Sequence, residues 1–304
     1  NFISLIYNLM NNLPYFDLYI ARDFPGLILT YFISQKTGIK YIYDSCETWL
    51  GYYTNNSIIE KFKFTLVKIL EGHFIKNTMS IITHSPFSAD YLKEQYKLKN
   101  DPVTIPSVYC TYLKKETNLL KEKLGLSKDD KVVLSQGTFK PGRGIKNLIL
   151  AFKYVPHNIK LVLMGDGPLY EHIKQMIIHL NLNDQVFVMD KMPINSYLDY
   201  TASADLGVDV RDTDLLNYKL ALSVRIVDYI VCGVPVGVSS NLEISKLIRQ
   251  WDIGMVFNSN EAIDIAKGIE DFFIQQDIEK YHKNLEYLRN TLFSLDAQIE
   301  KMAR

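Results

Sequence analysis

The sequence predicts an α/β protein built from two tandem strand–helix units, and two observations carry that expectation. Short apolar runs alternate with amphipathic segments across most of the 304 residues. Small or charged residues stand where those runs end, as in QGTFKPGRG at 136–144, GDGP at 165–168 and CGVP at 232–235. Such strand ends leave a crevice along the carboxyl edge of a parallel sheet, where α/β proteins of this kind bind ligands.

In the first unit, residues 17–21 (DLYIA) and 40–44 (KYIYD) read as strands with a helix over 25–35 between them, a strand–helix–strand crossover. A helix over 58–74 follows, with Ile58, Ile59, Phe62, Leu66, Ile69 and Leu70 spaced for one face. It carries Lys61, Lys63 and Lys68, with Lys76 just beyond. A sheet-packed helix with solvated lysines fits this pattern better than a helix lying on anionic lipid, which also fits. A third strand at 80–83 precedes a helix over 88–96 with a Ser cap, and VTIP at 103–106 closes the region. Residues 112–128 are rich in Lys and Glu and suit a connector with one helix.

The second unit offers strands at 132–135, 160–164, 186–188, 206–208 and 234–238. Helices fit around 146–154, 169–179, 194–202 and 223–231, then near 242–250, and residues 262–302 are helical in pattern almost throughout. Two such units joined by one connector predict two lobes with a ligand between them. The first lobe shows only three or four strands and the chain begins at Asn1 without Met, so a truncated N-terminal lobe is expected.

Composition narrows the function classes. Lys plus Arg and Asp plus Glu are both 34, so no global charge points to nucleic acid. Cys46, Cys110 and Cys232 are odd in number, far apart and without ligand spacing. They read as reduced thiols of a cytoplasmic protein, with neither a zinc site nor a disulfide framework. No signal peptide and no membrane-spanning run is visible.

Gly137, Gly142 and Gly144 let backbone amides approach an anion at a helix start, where Arg143 adds a fork of donors and Lys140 a point charge. A glycine turn with a solvated arginine fits the same residues. The spacing is neither that of a P-loop nor that of a dinucleotide fingerprint. Gly165-Asp166-Gly167-Pro168 is a good helix start that either approaches a ligand or only turns the chain. Arg225 and Asp228 share a helical face; Asp228 suits ribose hydroxyls, and a surface ion pair is the plainer alternative. In the first unit Asp44 and Glu47 are the acidic candidates, with Arg22 and Asp23 after the preceding strand. His84 ends the third strand, and the absence of a GxSxG elbow argues against a Ser-His-acid site.

Taken together, these segments resemble the family 4 retaining glycosyltransferases, whose GT-B fold has two facing Rossmann-like lobes. The likeness is strongest over residues 132–254. Gly137 and Arg143-Gly144 match the first loop of the family's donor lobe, with Thr138 where a basic residue is usual. Gly165 and Gly167 match its paired glycines, and ADLGV at 204–208 its donor-site strand. The diagnostic segment appears as SVRIVDY at 223–229 and GVPV at 233–236, with Arg225 for Lys and Asp228 for Glu. Leu220 stands where many members have another Glu, and Cys46 where His is common.

The resemblance implies a nucleotide-sugar donor (UDP-, GDP- or ADP-sugar), transfer with retention, no cofactor and no metal. Arg143 would bind the diphosphate with Arg225 assisting, Asp228 the ribose, and the loop residues Gly137, Thr138, Gly144, Gly165 and Gly167 the nucleotide. Glu47 would position a glycan or lipid-linked acceptor. The expected domains are 1–115 on the acceptor side, 116–280 for the donor, and a helical tail over 281–304 packing back toward the first lobe. The expected role is surface polysaccharide synthesis in the cytoplasm, with peripheral contact at the inner membrane and no nucleic-acid partner. The alternative is a truncated or degenerate binding or assembly protein without turnover.

Overall fold

The computed structural model describes residues 16–53, 57–108, 117–193, 195–211, 215–239, 242–275 and 277–303. Two compact units share the chain: residues 1–106 with 215–221, and residues 107–214 with 222–304. The division therefore falls at 106/107, where the first sheet ends; the expected boundary at 115/116, like Cys110, touches residues outside those described.

In the first unit β1 (Tyr19–Arg22), β2 (Tyr41–Ser45), β3 (Ser80–Thr83) and β4 (Val103–Thr104) form a parallel sheet in that order. Helix α1 (Asp23–Thr37) crosses from β1 to β2 and stops at Gly38, whose φ of 74° lets its N–H return to the Ser34 carbonyl at 2.8 Å. Helix α2 (Ile58–Ile75) follows, then α3 (Pro86–Tyr96). The α3 cap is Ser85, three residues before the expected one; its hydroxyl accepts from the Ser88 N–H at 3.1 Å, and Pro86 occupies the first turn.

Helix α2 corrects the expected orientation. Its buried side chains are Val67, Glu71, Phe74 and Ile75. The stripe read as a core face points outward: Ile58 is 87 % exposed, Phe62 67 % and Ile69 64 %. The buried face is fixed by Glu71, whose carboxylate accepts from the Tyr43 hydroxyl at 2.7 Å and the Tyr96 hydroxyl at 2.6 Å. Apolar periodicity detects a stripe but does not say which of two stripes meets the sheet.

The second unit is a six-stranded parallel sheet in the order β10-β9-β8-β5-β6-β7. Its strands are β5 (Lys131–Gln136), β6 (Ile159–Met164), β7 (Val186–Met189), β8 (Leu206–Asp209), β9 (Val236–Val238) and β10 (Gly254–Val256). Neighbouring residues feed opposite cores: Val133, Leu161 and Leu163 one, Val132, Leu134 and Val162 the other. Burial on both faces is why these strands read as continuous apolar runs. The helices up to β8 are α4 (Leu119–Leu124), α5 (Ile145–Ala151), α6 (Tyr170–His179) and α7 (Tyr197–Ala202).

Between β8 and the next helix of this unit, α8 (Leu216–Leu220) belongs to the first unit, where it meets the 3₁₀ turn Trp49–Tyr52. Then come α9 (Val224–Cys232), α10 (Leu242–Trp251), α11 (Ala262–Gln275), α12 (Ile278–Asn290) and α13 (Leu295–Ala303). The helical tail groups with the second unit. Leu285, Leu288 and Phe293 are buried in the core that holds α9, and His282 contacts the Gly233 carbonyl at 2.9 Å. Among the described residues no helix is long and apolar enough to cross a membrane.

Burial raises the pKa of Glu71 and the two tyrosine hydroxyls oppose that rise. The folded state thus holds this proton more tightly than the unfolded chain, and stability falls as pH climbs through the folded pKa. Tyr96→Phe should lower unfolding free energy by about 1–3 kcal/mol, the cost of a buried group losing a partner. The loss should be larger at alkaline than at mildly acidic pH in urea titrations. Equal losses would show that the hydroxyl does not serve the ionised carboxylate.

Candidate functional site

The order of the second sheet reverses between β5 and β8, which pair directly with Leu134 opposite Gly207. Such a reversal opens a crevice at the strands' carboxyl ends. Tyr229 fixes α9 there. Its hydroxyl donates to the Leu134 carbonyl at 3.1 Å and accepts from the Gln136 N–H at 3.3 Å. Gly207 is bare because a Cβ would lie 2.5 Å from the Tyr229 ring. Arg225, one turn earlier on α9, and Asp228, the residue just before Tyr229, line the crevice.

The two glycine loops lie against each other at its rim. The Gly137 N–H reaches the Met164 carbonyl at 2.9 Å and the Phe139 N–H the Asp166 carbonyl at 2.6 Å. A Cβ on Gly165 would fall 1.9 Å from the Gly137 oxygen, so only glycine allows this approach. The resulting cavity, about 270 Å³, is lined by Gly137, Thr138 and Gly165 from the loops, and by Gln136, Tyr197, Arg225 and Asp228 deeper in. Met164, Asp166, Lys191 and Met192 complete it.

Two polar groups organise the interior. Asp228 accepts from Gln136 Nε2 and from the Tyr197 hydroxyl, both at 3.1 Å. The Gln136 amide is itself oriented by the Thr201 hydroxyl, which donates to its oxygen at 2.7 Å. Burial pushes the Asp228 carboxyl up to about 7 against these donors and the charge of Arg225.

The second group is Asp209, at the end of β8. It takes both arms of Arg211, Nε and Nη2 at 2.9 Å, and Nη2 of Arg225 at 2.6 Å. Arg225 also donates to the Gln136 carbonyl at 3.2 Å. Burial would raise the Asp209 carboxyl, but the guanidiniums of Arg211, Arg225 and, through space, Arg143 hold it down at about 2. Arg225 brings one of these guanidiniums to the cavity wall, where its charge favours an anion such as a phosphate.

Residues 116–291 match the family model described as Glycosyl transferases group 1. The chain belongs to this glycosyltransferase family. It is 24 % identical over 218 residues to the N-acetyl-alpha-D-glucosaminyl L-malate synthase of Bacillus anthracis, covering 69 % of this chain and 52 % of that one. It is 25 % identical over 240 residues to the alpha-monoglucosyldiacylglycerol synthase of Streptococcus pneumoniae, covering 75 % and 51 %. The chain thus spans about half the length of these curated relatives. Its fold is that of the GT-B glycosyltransferases. Anabaena HepE, crystallised with UDP and glucose, gives a TM-score of 0.79 at 16 % identity over 99 % of this chain and 80 % of that one. The sucrose-phosphate synthase of Thermosynechococcus elongatus gives 0.80 at 19 % over 99 % and 75 %.

Of the residues nominated from the sequence, the cavity of this group 1 glycosyltransferase gathers Gly137, Thr138, Gly165, Arg225 and Asp228. Arg143 acts on the Asp209 carboxylate through space rather than from the cavity wall. Gly144 and Gly167 are spacers. A Cβ on Gly144 would lie 2.5 Å from a Val210 methyl, and one on Gly167 2.5 Å from the Phe139 oxygen.

Glu47 lies in the first unit, held by the Tyr52 hydroxyl at 2.7 Å and Asn217 Nδ2 at 2.6 Å. The Asn217 oxygen accepts from the Thr48 N–H at 2.8 Å, so one amide of α8 bridges both residues. Burial lowers the pKa of His84 and keeps the ring neutral. Burial and the neighbouring Asp44 push the Cys46 thiol up to about 12. Among the described residues no cluster of three or more His, Cys, Asp and Glu is arranged to hold a metal ion.

Sequence reasoning missed Gln136, Tyr197, Asp209, Arg211 and Asn217. The Asp-x-Arg at 209–211, charged residues directly after an apolar strand, was the available signal for two of them. Asp209→Ala should cost about 3–5 kcal/mol, because it removes the buried carboxylate that Arg211 and Arg225 share. The pair's contribution is complete above the unfolded carboxylate pKa and is lost as pH falls toward about 2. A loss well under about 1 kcal/mol in denaturant titration, the size of an exposed pair, would contradict burial of the cluster.

Proposed function

We propose that the chain is a retaining glycosyltransferase that takes a sugar from a nucleotide-sugar and delivers it to a glycan or lipid-linked acceptor in cytoplasmic steps of surface polysaccharide synthesis. The observation that carries this reading is the cavity at the β5/β8 reversal. It combines close-packed glycine loops, a cationic cluster and a buried, hydrogen-bonded carboxylate. Arg225, steadied by Asp209, and Arg143 neutralise the diphosphate. Asp228 accepts from the ribose hydroxyls, and the loop amides of Gly137, Thr138 and Gly165 approach the nucleotide. In the transfer, the sugar's bond to the diphosphate oxygen breaks and a bond to the acceptor oxygen forms on the same face. The acceptor's proton ends on the released diphosphate. Fixed positive charge beside the leaving oxygen lowers that barrier, which makes a metal ion unnecessary in this reading. Glu47, set by Asn217 and Tyr52, positions the acceptor. Because HepE was crystallised with UDP, and in another crystal with UDP-glucose, uridine ligands are the first to try.

A second reading, nucleotide binding without turnover in an assembly role, is favoured by Cys46. A thiol held neutral in place of the family's usual histidine is a poor proton carrier.

Calorimetry separates the roles. Arg143→Ala should weaken UDP on the order of tenfold, the equivalent of about 1.4 kcal/mol, and leave uridine unchanged. Equal losses for both ligands would remove the diphosphate role. The pH dependence tests Asp228, whose folded pKa of about 7 means that only the upper pH range presents a full carboxylate. UDP-glucose, which does not titrate there, should bind more tightly as pH rises through about 7, and Asp228→Asn should flatten the profile. A sloping profile in the variant would assign the titration to another group.

A further inference from the structure

Gln136 is the last residue of β5 and only 4 % exposed. A primary amide buried at a strand end costs free energy unless both of its ends find partners. Here α9 and α7 supply one each: Nε2 donates to Asp228 at 3.1 Å, and Oε1 accepts from the Thr201 hydroxyl at 2.7 Å. The main chain of the same residue accepts from Arg225 Nη1 at 3.2 Å and donates to the Tyr229 hydroxyl at 3.3 Å. Gln136 therefore touches both charged groups of the cavity wall, the arginine through its carbonyl and the carboxylate through its side chain.

The two ends of the amide are opposite in character. Only Nε2 can donate to an ionised carboxylate, and a reversed amide would set oxygen against oxygen. Thr201, fully buried on α7, decides the sense by donating to Oε1. Its single proton has a second acceptor 2.9 Å away in the Tyr197 carbonyl, so the hydroxyl and the amide settle together. Asp228 in turn takes Tyr197 on Oδ1 and Gln136 on Oδ2. Donors from two elements, one on each oxygen, fix the plane of the carboxylate. They also oppose the burial that pushes this carboxyl upward.

We propose that Gln136 is a positioning residue of the donor site, holding the Asp228 carboxylate in the orientation a ribose needs, with Thr201 setting the sense of its amide. The proposal rests on the assignment of Asp228 to the ribose. The titratable and charged groups around that carboxylate are Tyr197 on α7, Arg225 and Tyr229 on α9, and Asp166 and Lys191 on the cavity wall. Gln136 and Thr201 are neutral, so replacing them by neutral residues changes the carboxylate's partners without changing the charge beside the diphosphate.

Calorimetry of the full chain with UDP and with 2′,3′-dideoxy-UDP tests this, at a pH well above the Asp228 value of about 7. Gln136→Met, close in size but without the amide, should weaken UDP about tenfold and the dideoxy analogue less than about twofold, as for one lost hydrogen bond to a charged group. Thr201→Val should weaken UDP selectively as well, by about threefold, and Thr201→Ser should restore the preference. For UDP-glucose, the rise in affinity with pH should shift upward in Gln136→Met, because the carboxylate has lost a donor. Equal losses for UDP and its dideoxy analogue, or no loss, would overturn the proposal. Should Gln136→Met misfold, the Thr201 pair decides: valine and serine variants that bind alike would overturn it. Asp228→Asn separates the two levels. If it loses UDP selectively while Gln136→Met does not, the positioning role alone falls. If it loses both ligands alike, the ribose assignment falls and the proposal with it.

Discussion

The buried Asp209 carboxylate is the constraint on which the second unit's crevice depends. It sits where the sheet order reverses, and by holding both arms of Arg211 and one arm of Arg225 it keeps two guanidiniums in a site that would otherwise reject them. Arg225 is thereby fixed against Gly137, whose φ of 116° favours glycine and where a Cβ would lie a tight 3.1 Å from the arginine's Cδ. Asp209, Arg225 and the glycine loop form one packed unit, so the cavity's charge and shape have a common cause.

Asp228 answers a different demand. A carboxylate this deep needs donors, and Gln136 and Tyr197 supply them from β5 and α7. Because Tyr229, the next residue, ties α9 to β5, strand end, helix and donors are held in one geometry before any ligand arrives. Such preorganisation suits a site that recognises a ribose and stabilises charge on a departing diphosphate.

The sequence was most legible where physics leaves few choices. The second unit's strands are buried on both faces, so their apolar runs and the glycines closing them stood out. The Arg225–Asp228 segment was legible because charged residues preceded an apolar exit. Partners brought in from afar were not legible: Gln136 and Tyr197 are ordinary residues until the fold sets them beside Asp228. Asn217 sits in a five-residue helix whose place is set by tertiary contacts, and Gly51 accommodates it because a Cβ there would lie 2.4 Å from the Asn217 nitrogen. Helix α2 shows the complementary limit. Its strongest apolar stripe is its outer one, and only the Tyr43–Glu71–Tyr96 contact reveals which side faces the sheet.

Amide hydrogen exchange of the full chain with and without UDP tests the central claim most directly. The account predicts that saturating UDP slows exchange in the segments around 136–144, 164–168 and 224–229, and that Arg143→Ala reduces this protection. Protection centred elsewhere, or none at saturating UDP, would contradict the assignment of this crevice as the donor site.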